Sequence, residues 1–264
     1  MKKRLISAAI MLSVTFACVL LSTVSRVLFL GVLGILACYE LSRQLESIRV
    51  YCCAWVMYVY VASQAVLALL QARPMAYLVS FLLAIYLAMF SGILHRKVSG
   101  RGALDTIAGL GYPAFLFAIL LMISVSGIWL QTLTLGCASS WVCDSAALFG
   151  GTAFGKHKLA PHVSPKKTVE GAVCGALASI PAGALVALLP FMNGVSVPLG
   201  IVTALIASTL GQVGDLAESL IKRMIGIKDF SDLIPGHGGV FDRVDSLLFA
   251  IPAAFVCLYV AGVT

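Results

Sequence analysis

The sequence predicts an all-α, polytopic integral membrane protein with about nine transmembrane helices. Three observations carry that expectation. Hydrophobic residues make up 61% of the chain and charged residues only 11%, less than half the charged share of about 25% usual in soluble domains. Apolar runs recur along the whole length, each close to the roughly 20 residues that a bilayer-crossing helix needs. The basic residues, finally, gather in alternate connections between those runs, as they do when one set of loops faces the cytoplasm.

The spans fall near residues 5–21, 26–41, 51–71, 75–94, 104–125, 129–151, 170–190, 198–220 and 245–262. The first follows Met1-Lys2-Lys3-Arg4 like a signal peptide. Without a clear small-x-small cleavage site, however, it is expected to stay as an uncleaved helix. Only Ser22, Thr23, Val24 and Ser25 separate it from the second, which opens at Arg26, so the two also read as one long broken helix. Pro74, Pro190 and Pro198 stand at expected helix ends, where proline is tolerated. The whole chain, 1–264, is expected to form a single membrane domain. Residues 1–128 would be scaffold helices, and 129–264 catalytic helices with polar loops at 152–169 and 221–244.

With the N-terminus inside, the inner segments hold Lys2, Lys3, Arg4, Arg43, Arg49, Arg96, Lys97, Arg101, Lys156, Lys158, Lys166, Lys167, Lys222, Arg223, Lys228 and Arg243. Only Arg26 and Arg73 of the 18 Lys and Arg residues then lie outside. This asymmetry puts both polar loops on the cytoplasmic face, where nucleotides are. The net charge of +7 is accounted for by those loops, so no nucleic-acid partner is expected. The 8 cysteines show no CxxC pair or Cys/His spacing and read as small hydrophobes rather than disulfides or metal ligands.

Acidic residues are unevenly spread. Before Cys143 there are only Glu40, Glu46 and Asp105; from Asp144 onward come Asp144, Glu170, Asp215, Glu218, Asp229, Asp232, Asp242 and Asp245. A carboxylate in or beside a membrane helix is costly and calls for a partner or a function. Asp215, Glu218, Ser219 and Lys222 share one helical face by their spacing. The run PGHGGVFDRVD, 235–245, places a glycine-rich turn ahead of the last span, with Asp242 and Asp245 three residues apart. Glycines allow backbone N–H groups close to a ligand, and a helix N-terminus favours phosphate. Crowded carboxylates fit Mg²⁺, which is commonly held by one or two of them while substrate phosphates complete its shell. The interleaved cations suit phosphate oxygens. Together these features point to phosphoryl or nucleotidyl transfer to a lipid at the cytoplasmic surface.

Ser219-Leu-Ile-Lys222-Arg223, then Lys228-Asp229, then Pro235-Gly-His237-Gly238-Gly239-Val-Phe-Asp242-Arg243-Val-Asp245 resembles, with its spacing intact, the signature of the phosphatidate cytidylyltransferases, the CDP-diacylglycerol synthases. Asp144-Ser145 and Phe154-Gly155-Lys156-His-Lys158, with Ser164-Pro-Lys-Lys-Thr168, are similar to a second stretch of that family. The family often has Asp-Thr-Gly-Ala-Tyr-Phe and Gly-Arg where this chain has Asp144-Ser-Ala146-Ala-Leu148-Phe and Gly151-Thr152. The resemblance implies transfer of CMP from CTP to phosphatidic acid in the cell (inner) membrane, with Mg²⁺ as cofactor. A paired site would add a second cation such as K⁺. On that basis Asp215 and Asp242 are the expected metal ligands, and Asp245, Lys222, Ser219 and Asp144 complete the catalytic set. Lys166, Lys167, Arg223, His237, Gly238, Gly239 and Arg243 would bind substrate. A homodimer is implied by resemblance alone. The competing readings are a CTP-dependent lipid kinase, which would want a base to activate a lipid hydroxyl, and an ion-coupled transporter. CDP-alcohol phosphotransferases do not fit, because their DGxxAR-type acidic motif is absent.

Overall fold

The computed structural model describes residues 13–94, 100–234 and 238–263. The start of the first expected span, with Lys2, Lys3 and Arg4, lies outside them, as do His95, Arg96, Lys97 and His237. The structure is nearly all helical, and it divides into two compact units. The first holds the residues up to Val125 together with Asp229–Arg243; the second holds Ser126–Lys228 and the chain from Val244 onward. The stretch 229–243, expected among the catalytic helices, therefore folds with the N-terminal ones.

In the first unit, helical residues 13–21 end at Ser22, whose backbone is extended (φ −159°, ψ 163°). Ser22 Oγ accepts the Ser25 N–H at 3.0 Å, and Ser25 Oγ accepts the Ser22 N–H at 3.0 Å. This reciprocal cap satisfies two helix-start donors and interrupts the helical backbone at Ser22. There follow α1 (Thr23–Ser47), α2 (Ala54–Leu69), α3 (Pro74–Leu94) and α4 (Gly100–Gly109). A π-helical turn, Leu110–Ala114, leads into α5 (Phe115–Ser124). The expected fifth span is broken there because Pro113 has no N–H to donate and pushes Tyr112 out of the helical region, to φ −151° and ψ 113°. Arg26, expected in an outer loop, is instead buried within α1. Its guanidinium donates to the carbonyls of Ser124 (2.8 Å) and Val19 (3.1 Å), which helix ends leave without intrahelical partners.

The second unit contains α6 (Trp129–Phe154), strands β1 (Lys158–Ala160) and β2 (Ser164–Thr168), α7 (Val169–Ala187), α8 (Val197–Ile225) and α9 (Leu247–Val260). The four helices enclose an apolar core that includes Leu135, Ala207, Ala254 and Leu258. Small residues let backbones meet, as in membrane helix pairs: a Cβ on Gly183 would stand 2.4 Å from the Gly200 carbonyl oxygen. The polar loop 152–169 contains an antiparallel hairpin pairing Lys158 with Thr168 and Ala160 with Ser164. Thr168 then caps α7, accepting the Gly171 N–H at 3.1 Å. Helix α8 runs past its expected end at 220 and stops at Gly226, in the left-handed region at φ 85°, where glycine carries no Cβ penalty.

Five segments among the described residues are long and apolar enough to cross a membrane: Thr23–Ser47, Pro74–Leu94, Gly100–Ser124, Val169–Ala187 and Val197–Ile225. Ala54–Leu69 and Leu247–Val260 are apolar but shorter. Helix α6 has the length, yet its glycines, hydroxyl side chains and Asp144 dilute its apolar character.

Candidate active site

Helix α8 supplies the centre of the candidate site in the second unit. Asp215, Glu218, Ser219 and Lys222 recur at i, i+3, i+4 and i+7, so one face carries all four. Ser219 Oγ donates to Asp215 Oδ1 at 3.4 Å. Lys222 Nζ meets Glu218 Oε2 at 2.5 Å, and the Glu218 side chain is wholly buried. From β2, Lys167 forms an ion pair with Asp215 Oδ2. Successive strand residues point to opposite sides, so Lys166, its neighbour, is exposed. The two lysines expected to act together are thereby divided.

Asp144 on α6 interacts electrostatically with both Asp215 and Lys167. Asp245 lies in the turn ahead of α9, because that helix begins at Leu247 rather than at the expected 245. Gly214 makes this approach possible: a Cβ there would fall 2.6 Å from the Asp245 carbonyl oxygen. Asp245 Oδ1 accepts the Ser246 N–H at 2.7 Å. Burial, and after it the neighbouring Asp215 carboxylate, hold Asp245 above the ordinary carboxylate range, against the pull of the Ser246 amide and Lys222. Three carboxylates and two ammonium groups thus share one region of the unit.

Arg223, expected to contact substrate, donates to the backbone carbonyls of Val163 and Ile227, each at 3.2 Å. It braces the hairpin against the end of α8. Glu170 plays a comparable part: it accepts the Lys156 N–H at 3.0 Å and pairs with His157 Nδ1 at 2.6 Å.

The remaining signature residues belong to the first unit. Asp242 is buried, and its Oδ2 accepts the Phe230 and Gly239 N–H groups, both at 2.9 Å. Gly238 has φ 84°, a conformation that favours glycine. Arg243 is exposed at the end of the short 3₁₀ turn Phe241–Arg243. Glu40, which the sequence marks only as one of few acids in a scaffold helix, proves central to this turn. It is 2% exposed and accepts the Val240 N–H at 2.9 Å, the Phe241 N–H at 2.8 Å and the Ser231 hydroxyl. A Cβ on Gly239 would come within 2.7 Å of the Glu40 carboxylate oxygens. The glycine-rich turn is therefore moulded around two buried carboxylates.

The described residues contain no ready-made group of three His, Cys, Asp or Glu side chains placed to hold a metal ion. The site's chemistry still fits a hard divalent cation. Its donors are carboxylate and hydroxyl oxygens, with Ser219 Oγ beside Asp215, and Mg²⁺ is commonly bound by one or two carboxylates with substrate phosphates.

Comparison with known proteins agrees with this chemistry. The family model described as "Cytidylyltransferase family" matches residues 2–261. The chain belongs to that family. It is 45% identical over 166 residues to the phosphatidate cytidylyltransferase of Brucella suis biovar 1 (strain 1330), an alignment covering 62% of this chain and 58% of that protein. It is 45% identical over 117 residues to the enzyme of that name from Haemophilus influenzae, covering 42% and 40%. With the Pseudomonas aeruginosa protein of the same name it shares 43% over 122 residues, covering 46% and 45%. The chain thus spans less than two thirds of the length of these cytidylyltransferase relatives.

Proposed function

We propose that the protein is a CTP:phosphatidate cytidylyltransferase of phospholipid biosynthesis. One oxygen of the phosphatidate phosphate attacks the α-phosphorus of CTP, and the bond from that phosphorus to the β-phosphate oxygen breaks. CDP-diacylglycerol forms and pyrophosphate leaves. The observation that carries this reading is the juxtaposition of Asp144, Asp215 and Asp245 with Lys167 and Lys222 in the second unit. The relatives' name supplies the substrates.

A phosphate monoester has a second pKa of about 6, so the attacking oxygen already carries charge and needs no general base. What this chain must provide is alignment and charge balance. Lys167 and Lys222 would neutralise phosphate oxygens, Glu218 would hold Lys222 on its face of α8, and Ser219 would orient Asp215. Asp215 and Asp242 are each proposed as a Mg²⁺ ligand, with Asp245 and Asp144 as further acidic groups and K⁺ as a candidate second cation. Bound Mg²⁺ would supply charge neutralisation to the phosphates. His237, Gly238, Gly239 and Arg243 keep their proposed role in the phosphate turn, and Lys166 a peripheral one.

The same reading places the protein in the inner membrane with about nine spans, cytoplasmic loops and a homodimeric assembly. Two observations support the orientation. In the first unit, Glu40 and Gln44 at the inner end of α1 bind the signature loop, and in the second, Arg223 binds the hairpin loop. Each contact joins segments that charge counting assigns to the cytoplasmic side.

The test supplies purified protein with phosphatidate, Mg²⁺ and CTP labelled at the α- or the γ-phosphorus. Label from α-CTP in the lipid fraction, with γ-label released as pyrophosphate, is expected. A γ-label in lipid when an alcohol acceptor is offered would identify a kinase. Absence of both transfers from folded protein would leave the transporter reading.

A further inference from the structure

The hairpin that delivers Lys167 is too small to hold its place unaided. Strands β1 and β2 have three and five residues, and an isolated two-stranded hairpin is marginally stable in water. The lysine itself adds a flexible four-carbon stem, yet its ammonium is paired with Asp215. The backbone beneath it must therefore be anchored, and its anchors lie in the second unit. At the turn end, Arg223 donates to the Val163 carbonyl at 3.2 Å. At the open end, where Lys167 stands one residue from the Lys158–Thr168 pair, the anchor is Glu170. Its Oε2 accepts the Lys156 N–H at 3.0 Å, both its oxygens lie 3.2 Å from the His157 nitrogen, and Oε1 pairs with His157 Nδ1 at 2.6 Å. The Val169 N–H closes the same end by donating to the His157 carbonyl at 2.9 Å. Gly155, just ahead, packs on the hairpin: a Cβ there would fall 2.7 Å from Thr168 Cγ2. One carboxylate on the first turn of α7 thus ties down the chain arriving from α6, beside the strand that carries Lys167.

We propose that Glu170 is a positioning residue: by fixing the open end of the hairpin, it sets where the Lys167 ammonium stands against Asp215. The inference rests on the reading of Lys167 and Asp215 as part of the reacting site, and adds the group that places one against the other. A carboxylate in the first turn of a helix offsets the helix dipole wherever it points. Glu170 does more, because its oxygens turn back onto residues 156–157, outside the helix. In this role it touches no substrate, and its effect on transfer runs through Lys167. Two consequences separate it from a contact that only stabilises the fold. Removing Glu170 costs no more activity than removing Lys167, and the loss vanishes once Lys167 is absent. A general stabilising contact would show the same loss in either background, which is what a double-mutant cycle measures.

The experiment uses the full chain in lipid nanodiscs and compares wild type with Glu170→Gln, His157→Ala, Lys167→Ala and the double variant Glu170→Gln/Lys167→Ala. Thermal unfolding in the same nanodiscs verifies that each is folded. Glu170→Gln keeps the volume but loses the charge and turns an amide donor toward other donors. Its kcat/KM for transfer from CTP to phosphatidate should fall about tenfold, the scale of losing hydrogen bonds to a charged group. His157→Ala, which leaves both backbone N–H bonds to Glu170, should lose less. In the Lys167→Ala background, Glu170→Gln should change kcat/KM by less than about twofold. A repeat of the full loss there, or a loss in Glu170→Gln larger than that of Lys167→Ala, would overturn the proposal. Acylation of lysines by a small reagent, read by mass spectrometry, does not depend on transfer. An ammonium held against a carboxylate is shielded from the reagent, whereas Lys166 is already exposed. In Glu170→Gln, Lys167 should label about threefold faster relative to Lys166, the scale of releasing a part-exposed ion pair. Unchanged Lys167 labelling overturns the positioning role whether or not transfer occurs. Faster labelling in a protein whose wild type shows no transfer supports Glu170 as the anchor of Lys167 and overturns the transferase reading instead.

Discussion

The two units use carboxylates in opposite ways. In the first, Glu40 and Asp242 are surrounded by backbone N–H groups: Val240 and Phe241 for one, Phe230 and Gly239 for the other. Those hydrogen bonds shape a turn. In the second, Asp215 is held by a lysine and a serine hydroxyl, and Asp245 feels a like charge nearby. A cation or a phosphate can rearrange a set of mobile side chains far more readily than backbone amides. The contrast marks which carboxylates a bound ligand rearranges most readily: those whose partners are side chains that can let go.

The sharpest way to break this comparison is to remove a single charge in the second unit. Asp215→Asn is expected to lower kcat by about 10²–10³-fold, the usual effect of deleting one preorganised electrostatic group. Unfolding in nanodiscs should change little, and a loss of stability matching the loss of activity would undo the distinction. For the first unit the expected order of effects is reversed. Glu40→Gln keeps the volume but turns an amide donor toward other donors. It should cost about 1.5–3 kcal/mol of stability, the scale of hydrogen bonds to a charged group, seen as earlier thermal unfolding. A smaller insult at the same place, Gly239→Ala, crowds Glu40 from the other side. It should cost about 1–3 kcal/mol as other overpacking substitutions do, and should not add fully to Glu40→Gln because the two share one contact.

Much of this was legible before the structure. Hydropathy locates most of the helices, and the spacing of Asp215, Glu218, Ser219 and Lys222 alone predicts their common face, since helical periodicity is local. The features that were hidden depend on distant or very short patterns. Nothing near Glu40 in the sequence indicates that it will bind residues two hundred positions away. The hairpin from Lys158 to Thr168 is too short to show alternation against a background of lysines. A hydropathy average runs smoothly through 104–125, although Pro113 divides that stretch into two helices. The reach of Lys167, and not Lys166, to Asp215 follows from which side of a strand each faces, and composition does not encode that.

That last division gives the finest test of the comparison, because the two lysines are chemically identical and adjacent. If phosphate attraction by a basic loop were all that mattered, Lys166→Ala and Lys167→Ala would be equivalent, each weakening an exposed interaction worth about 0–1 kcal/mol. The structure makes them unequal. Lys167 is paired with Asp215 and felt by Asp144, so its removal leaves carboxylates facing one another without that counter-charge. Lys167→Ala should lower kcat/KM by about 10²-fold, and Lys167→Arg should restore part of it. Lys166→Ala should remain within about twofold of wild type, with any effect vanishing at high salt as exposed electrostatic interactions do. Measured side by side on vesicles of fixed phosphatidate content, equal losses for the two alanine variants would reduce the hairpin to a lipid-facing basic patch. A large gap between them would make Lys167 part of the reacting site.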